Sequence, residues 1–476
     1  MSTAISPDPL DTEATAAATA TVTAPSPRLF ADRNVRWLAG GGLVSMLGDQ
    51  FTLLALPWLV LRLTGDPLAL GTVLAAMGLP RALLMLIGGA VVDRHAPRRV
   101  LLVTRHASAV LLAALAALVA SGHASLVMIH IFAVAIGITT AFSHPAASAL
   151  VPSLVPPALI QPANALLMSM QQITMLIGPL LGAALIAGSG SHLGGADAGG
   201  RDVAGLAWAF GLDGLSFAVA ALTLLPAKPC GATATTASPS AAGANDAAYT
   251  FGAASAAGSA GSAQASAASA PSLMASIAEG LRALWSDPLL RALCVYVTAI
   301  GLLVAGPLQV ALPVLVQRQF HGDATTLGLL TAGHGAGILV GLLLAGRFAG
   351  GRIAALGSLG TTVLLIDGLA GLVFIVLGQT SHRWEAVALL APIGAMAGFV
   401  QVAVMSWIQR RVPPRMLGRT MSVLLFLILG LSPLSSALAG YLLRIVSTPV
   451  MFEACGLAMM VVAAIGAIAL PMRRID

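Results

Sequence analysis

LALPWLVLRL, from Leu54 to Leu63, returns as VALPVLVQRQ from Val310 to Gln319. Ala55, Leu56, Pro57, Leu59, Val60 and Arg62 recur 256 positions later, and each copy runs on through a Gly-Asp pair to a Leu-Gly that opens the next apolar stretch (Leu70-Gly71, then Leu327-Gly328). Further on, SLVPPALIQPANALL (153–167) has a counterpart in QRRVPPRMLGRTMSVLL (409–425), its Val-Pro-Pro element offset by 257. A spacing held over more than a hundred residues marks a duplicated unit. Two copies in the same orientation predict a pseudo-twofold axis along a membrane normal, with a cavity between the halves.

The membrane follows from composition. The chain is 58% hydrophobic and 9% charged, whereas about a quarter of residues are charged in soluble domains. Its apolar runs are around twenty residues long, the length of a membrane-spanning helix and twice that of a barrel strand. The fold class expected is therefore all-α and integral to the membrane, with twelve helices in two six-helix repeats. The spans fall near 37–61, 68–92, 100–121, 124–149, 163–188, 205–226, 289–316, 325–346, 354–378, 385–408, 417–441 and 447–470. Glycine, 51 residues in all, suits close helix approach, as in GHGAGILVGLLLAG from Gly333 to Gly346.

Residues 1–27, rich in Ala, Thr, Ser and Pro, read as a disordered tail without a signal peptide's basic start. A six-helix bundle is expected over 28–226, a flexible Ala/Ser/Gly linker over 227–272, and a second bundle over 273–476. The stretch SLMASIAEGLRALWSDPLLRAL, which opens the second bundle, is amphipathic and suited to a membrane surface. With the N-terminus inside, eighteen basic residues, Arg105 among them, fall in cytoplasmic segments and five outside. This bias puts both termini in the cytoplasm of an inner membrane protein. The net charge of +6 is spread over short turns and forms no nucleic-acid patch. Cys230, Cys294 and Cys455 lack disulfide or metal spacing. Lys228, the one lysine, is followed by proline, so there is no P-loop. No cofactor, metal or enzymatic site is expected, and a monomer is.

GGAVVDRHAPRR, from Gly88 to Arg99, crowds an acid, three arginines and a histidine into one turn. Gly89, Asp93, Arg94, Arg98 and Arg99 between helices 2 and 3 resemble the signature of the major facilitator superfamily. That resemblance covers nearly the whole chain from Leu29 onward. SMLGDQFTLLALPWLVLRLTG in helix 1, the Gln-Arg-Arg-Val-Pro-Pro turn with Gly418-Arg419, and GLDGLSF in helix 6 resemble its macrolide-efflux and enterobactin-exporter branch. The charged turn can serve as a cytoplasmic gate that latches the halves together, or it can enforce topology alone. IGPLLGAAL in helix 5, with Gly178, Pro179 and Gly182, resembles the superfamily's antiporter motif; a kink needed only for packing is the alternative.

Charges at membrane depth each need a reason. Asp49 and Arg81 lie at similar depths on helices 1 and 2, so they are expected to pair, either as a proton- or cation-coupling device or as a structural bridge. Asp213, Asp367, Gln171, Gln172, His334 and Gln401 are candidates for lining the cavity or for interhelical hydrogen bonds, while His130 and His144 near the ends of helix 4 are expected to be interfacial. The resemblance implies a secondary transporter that exports hydrophobic or amphiphilic small molecules (drug, macrolide-like or siderophore) in exchange for protons. The alternatives are a carrier for a lysophospholipid or nutrient, or a non-transporting membrane sensor.

Overall fold

The computed structural model describes residues 29–188, 198–227, 282, 285–348, 358–469 and 471–474. Among them are twelve long helices. The first half holds α1 (Arg33–Thr64), α2 (Pro67–Arg94), α3 (Pro97–Ala120), α4 (Leu126–Leu154), α5 (Pro157–Gly188) and α6 (Ala198–Leu224). In the second half, α7 runs as Pro288–Gly306, a π-helical turn Pro307–Ala311, and Leu312–Arg318. It is followed by α8 (Ala324–Phe348), α9 (Leu359–Gly378), α10 (Arg383–Arg411), α11 (Pro414–Ile445) and α12 (Thr448–Ile468). Eleven of these are long and apolar enough to cross a membrane. The N-terminal tail, most of the linker and most of the amphipathic stretch lie outside the described residues.

Several helices run past the apolar stretches because polar residues cap their ends. The Asp32 carboxylate accepts from the backbone N–H of Asn34 (2.8 Å) and Val35 (3.0 Å), so α1 starts at Arg33, four residues before the hydrophobic run. Gly65, at φ 64°, ends the same helix in the left-handed conformation open to glycine. Asp66 then caps α2, with Pro67 in the first turn where no N–H is needed.

The duplication seen in the sequence reappears as packing. A Cβ added at Gly137 of α4 would overlap the Met77 carbonyl of α2, and one at Gly394 of α10 would overlap the His334 carbonyl of α8. Both members of the second pair stand 257 positions beyond those of the first. Gly214 of α6 lies against Ala109 and Ala113 of α3, just as Gly456 of α12 lies against Gly371 and Ile375 of α9. In each case the absent side chain lets two backbones touch.

The halves meet along α2–α11 and α5–α8. A Cβ at Gly71 would stand 2.5 Å from the Ser436 carbonyl of α11, and one at Gly328 would stand 2.6 Å from the Pro179 carbonyl of α5. One further turn pair along, Gly78 meets Pro433, and Gly335 meets the Met175 carbonyl. Numbered by the repeat, these contacts are twofold mates. A hydrogen bond from Gln317 Nε2 to the Leu61 carbonyl (3.2 Å) and an ion pair of Arg444 with Asp66 add to the seam. Both lie on the far face of the molecule, away from the start of α1 and the end of α12.

The two halves differ at α7. The Gly306 N–H donates to Ser435 Oγ of α11 (2.7 Å), and Ser435 Oγ donates to the Leu302 carbonyl (2.5 Å). The hydroxyl thus stands inside the ladder between residues that would otherwise bond directly, and Pro307 comes next with no N–H of its own. An inserted side chain beside proline accounts for the π turn.

Candidate functional site

The strongest polar cluster within the first bundle comes from three helices that the sequence does not place side by side. α1 packs extensively on α5 and α6 and only slightly on α2, so the groups facing Asp49 come from α6 and α3. Gly48 makes this possible, because a Cβ there would overlap Ser216 Oγ and Asp213 Oδ1. Asp213, 1% exposed, accepts from Thr52 Oγ1 of α1 (2.5 Å) and from Ser216 Oγ one turn along its own helix (3.2 Å). Arg105 of α3, 8% exposed, donates from Nη1 to the Ala220 carbonyl of α6 (2.5 Å). Asp49 is half-buried within electrostatic reach of both Asp213 and Arg105, and among the described residues no hydrogen bond reaches its carboxylate. Two carboxylates and one guanidinium thus share a site about 24 Å along α1, reckoned at 1.5 Å per residue.

Two expectations change here. Among the described residues no ion pair or hydrogen bond joins Asp49 to Arg81, since equal depth fixes height along the bundle but not which way a side chain points. Arg105, counted among the cytoplasmic arginines, is buried within the bundle. The buried positions of α3 run Leu101, Thr104, Arg105, Ser108, Leu112, Leu115 and Val119, so Arg105 lies on the core-facing stripe. That periodicity was the available signal.

In the second half, Tyr296 of α7 donates to Asp367 Oδ2 of α9 (2.8 Å), both groups buried. Asp367 and Arg105 stand at the same place in the repeat, each nine residues past the N-cap of its helix. Cys455 occupies the position of Asp213, within F-x-x-C-G-L against F-x-x-D-G-L. The second bundle therefore carries an acid bonded to a tyrosine hydroxyl where the first has Arg105, and a thiol where the first has Asp213.

The profile of the Major Facilitator Superfamily matches residues 38–432. The chain belongs to the major facilitator superfamily. It is accordingly a multi-pass membrane transporter by family. Similar solved structures include a bacterial homologue of the human lysosomal transporter Spinster in an inward-facing, unoccupied conformation: 16% identity over 92% of this chain and 95% of that one, TM-score 0.60. The nucleoside transporter NupG matches at 12% identity over 92% and 98%, TM-score 0.60. The human organic anion transporter MFSD10 matches at 18% over 92% and 100%, TM-score 0.55. At such identities the likeness is one of fold. No curated protein sequence matches, and the finer efflux branch stays a sequence-based expectation.

The superfamily turn after α2 is placed in part. Arg94 and Arg99 are exposed, and the side chain of Asp93 lies outside the described residues. Arg98 donates from Nε and Nη2 to the Leu224 carbonyl (3.2 and 2.9 Å) and from Nη2 to the Leu225 carbonyl (2.7 Å). It closes the end of α6 within its own half, and those contacts do not join the two halves. Among the described residues, no heavy atom from another element lies within 4 Å of the Cβ position at Gly89.

The α5 motif lies between halves. Gly178 faces the Gln50 side chain and Gly182 faces Phe51 and Leu54, all on α1, while the Pro179 carbonyl faces Gly328 of α8. It therefore touches the residue next to Asp49 on one side and the opposite half on the other. Gln171 is exposed, Gln172 and Gln401 are half-buried, and His334 Nδ1 is buried without a partner among the described residues. His130 bonds to Thr72 Oγ1 of α2 through Nε2 (3.1 Å) and to the Leu126 carbonyl.

Proposed function

We propose that the protein is a proton-coupled exporter of hydrophobic or amphiphilic small molecules, working by alternating access in a bacterial inner membrane with both termini cytoplasmic. The observation that carries the reading is the Asp49, Asp213 and Arg105 cluster. With both acids ionised it holds one more negative than positive charge, and at membrane depth that imbalance is relieved by a proton. Asp213 is fixed by two hydroxyl donors, which leaves Asp49 as the group that takes and gives up the proton. The α5 motif seats beside Gln50 and against α8, so a change at Asp49 has a short path to the interface between the halves. The arginine bias supports the orientation, in which the Asp66–Arg444 face is external and closed.

The test is accumulation of macrolides, dyes and siderophores in an efflux-deficient bacterial host, with and without a protonophore. Expression of the wild-type chain should lower accumulation, and both the protonophore and Asp49→Asn should abolish the effect. Efflux that persists in the variant and remains protonophore-sensitive would remove Asp49 from the coupling role.

A further inference from the structure

Arg81 is left over once Asp49 faces Asp213 and Arg105 instead. It lies in the middle of α2, about 20 Å from either end at 1.5 Å per residue, which is too far for its side chain to reach the interface. It is half-buried, and no hydrogen bond or ion pair engages its guanidinium among the described residues. Half-burial leaves part of that side chain facing open space.

The surrounding helices define that space. Gly78 and Ala82 face α11, where they meet Pro433 and Gly430, and Met77, one turn before Arg81, faces Gly137 of α4. Arg81 therefore follows the α4 side of α2, where His144 of α4 is within its electrostatic range. The repeat sharpens the point. At the offset of 257 that relates Gly137 to Gly394 and Met77 to His334, the mates of Arg81 and His144 are Ile338 and Gln401. The second half offers an aliphatic and an amide where the first offers a guanidinium and an imidazole.

We propose that Arg81, with His144, is the head-group subsite for an amphiphilic substrate bearing one carboxylate or phosphate, whose apolar body lies toward Ile338 on the facing half. A guanidinium forks onto a carboxylate or phosphate with two hydrogen bonds, and one-sided charge across the twofold selects a molecule charged at one end. This inference rests on the transport reading and narrows it to anionic amphiphiles.

The experiment uses the purified full chain in phosphatidylcholine nanodiscs, with dodecyl phosphate, dodecanol and inorganic phosphate as probes and calorimetric titration as readout. Dodecyl phosphate should bind at least tenfold tighter than dodecanol. Arg81→Gln should erase that preference and Arg81→Lys should keep part of it. Equal binding of the two probes to the wild type, or an undiminished preference in Arg81→Gln, overturns the proposal. If neither variant yields folded protein, the wild-type comparison decides alone. Inorganic phosphate binding as tightly as dodecyl phosphate would also overturn it, because the apolar body would then contribute nothing. Competition by phosphatidylglycerol in the nanodisc would assign the head group to a lipid; its absence assigns it to a soluble amphiphile. Binding needs no gradient, so a protein that passes here but shows no protonophore-sensitive efflux refutes transport and leaves the subsite. Efflux of neutral compounds without anion preference does the reverse.

Discussion

Arg105 and Asp49 belong to one cluster but should respond differently to substitution. Arg105 is sealed, bonded to the Ala220 carbonyl and set within electrostatic range of Asp49. Arg105→Met strips the only positive charge from the site, and removing one partner of a buried charge set costs about 3–5 kcal/mol. A clear drop in melting temperature of the detergent-solubilised protein is expected; an unchanged melt would contradict the burial. Asp49→Asn removes one of two neighbouring acids whose own carboxylate accepts no hydrogen bond among the described residues, so its melting temperature should match or exceed the wild type. The acids were legible in the sequence because charge is conspicuous in apolar runs. Their partners were not. Depth along a helix comes from counting residues, whereas the facing group depends on which helices pack, and α1 turns toward α5 and α6 instead of its neighbour in the chain.

Among the elements, α7 and the glycine seams carry the most consequence. Ser435→Ala leaves the Gly306 N–H and the Leu302 carbonyl without the bridging hydroxyl. Each orphaned buried group costs about 1–3 kcal/mol unless the helix rewinds to bond directly. The expected outcome is either a loss of stability in that range or an α7 that has lost its π turn, read from amide hydrogen exchange around Leu302–Ala311. Unchanged stability with unchanged exchange would contradict the inserted-hydroxyl explanation. Gly71→Leu places a side chain where the Ser436 carbonyl already stands at 2.5 Å from the Cβ position. It should wedge the far face open, so that Gln317→Cys, on the same seam, reacts faster with a membrane-impermeant maleimide than it does when Gly71 is intact. Equal labelling in the two backgrounds would contradict the seam. The ALP repeat revealed that α1 and α7 are equivalents. Pro307 marks a break in α7, but the hydroxyl inserted beside it comes from α11, which the sequence does not place there.

For the whole molecule, twelve helices and the twofold were readable from apolar run length and a 256–257 residue spacing, both of which survive as packing. The charged turn after α2 was readable as a motif but not as a contact, since Arg98 spends its donors on α6 of its own half. An ion pair that does join the halves is Asp66 with Arg444, at 2.9 Å from Nε and 2.5 Å from Nη2. The hydrogen bond from Arg444 holds the Asp66 carboxyl below the usual carboxylate range, overcoming the opposing effect of partial burial. A depressed acid contributes its closing effect above the ordinary carboxylate pKa of about 3.9 and loses it only as pH falls through the lower bound value. Across roughly pH 5–8 the contact therefore stays charged, and far-face closure in Asp49→Asn should be independent of pH when followed by spin-label distances. A pH-dependent distance in that variant would place the proton sensor at a group other than Asp49.

The most direct test uses proteoliposomes with an imposed pH gradient and a fluorescent amphiphilic substrate, comparing the wild type with Asp49→Asn in gradient-driven accumulation and in substrate exchange without a gradient. The wild type should do both, and the variant should exchange without accumulating. Accumulation by the variant at the wild-type level would contradict proton coupling through the Asp49, Asp213 and Arg105 cluster.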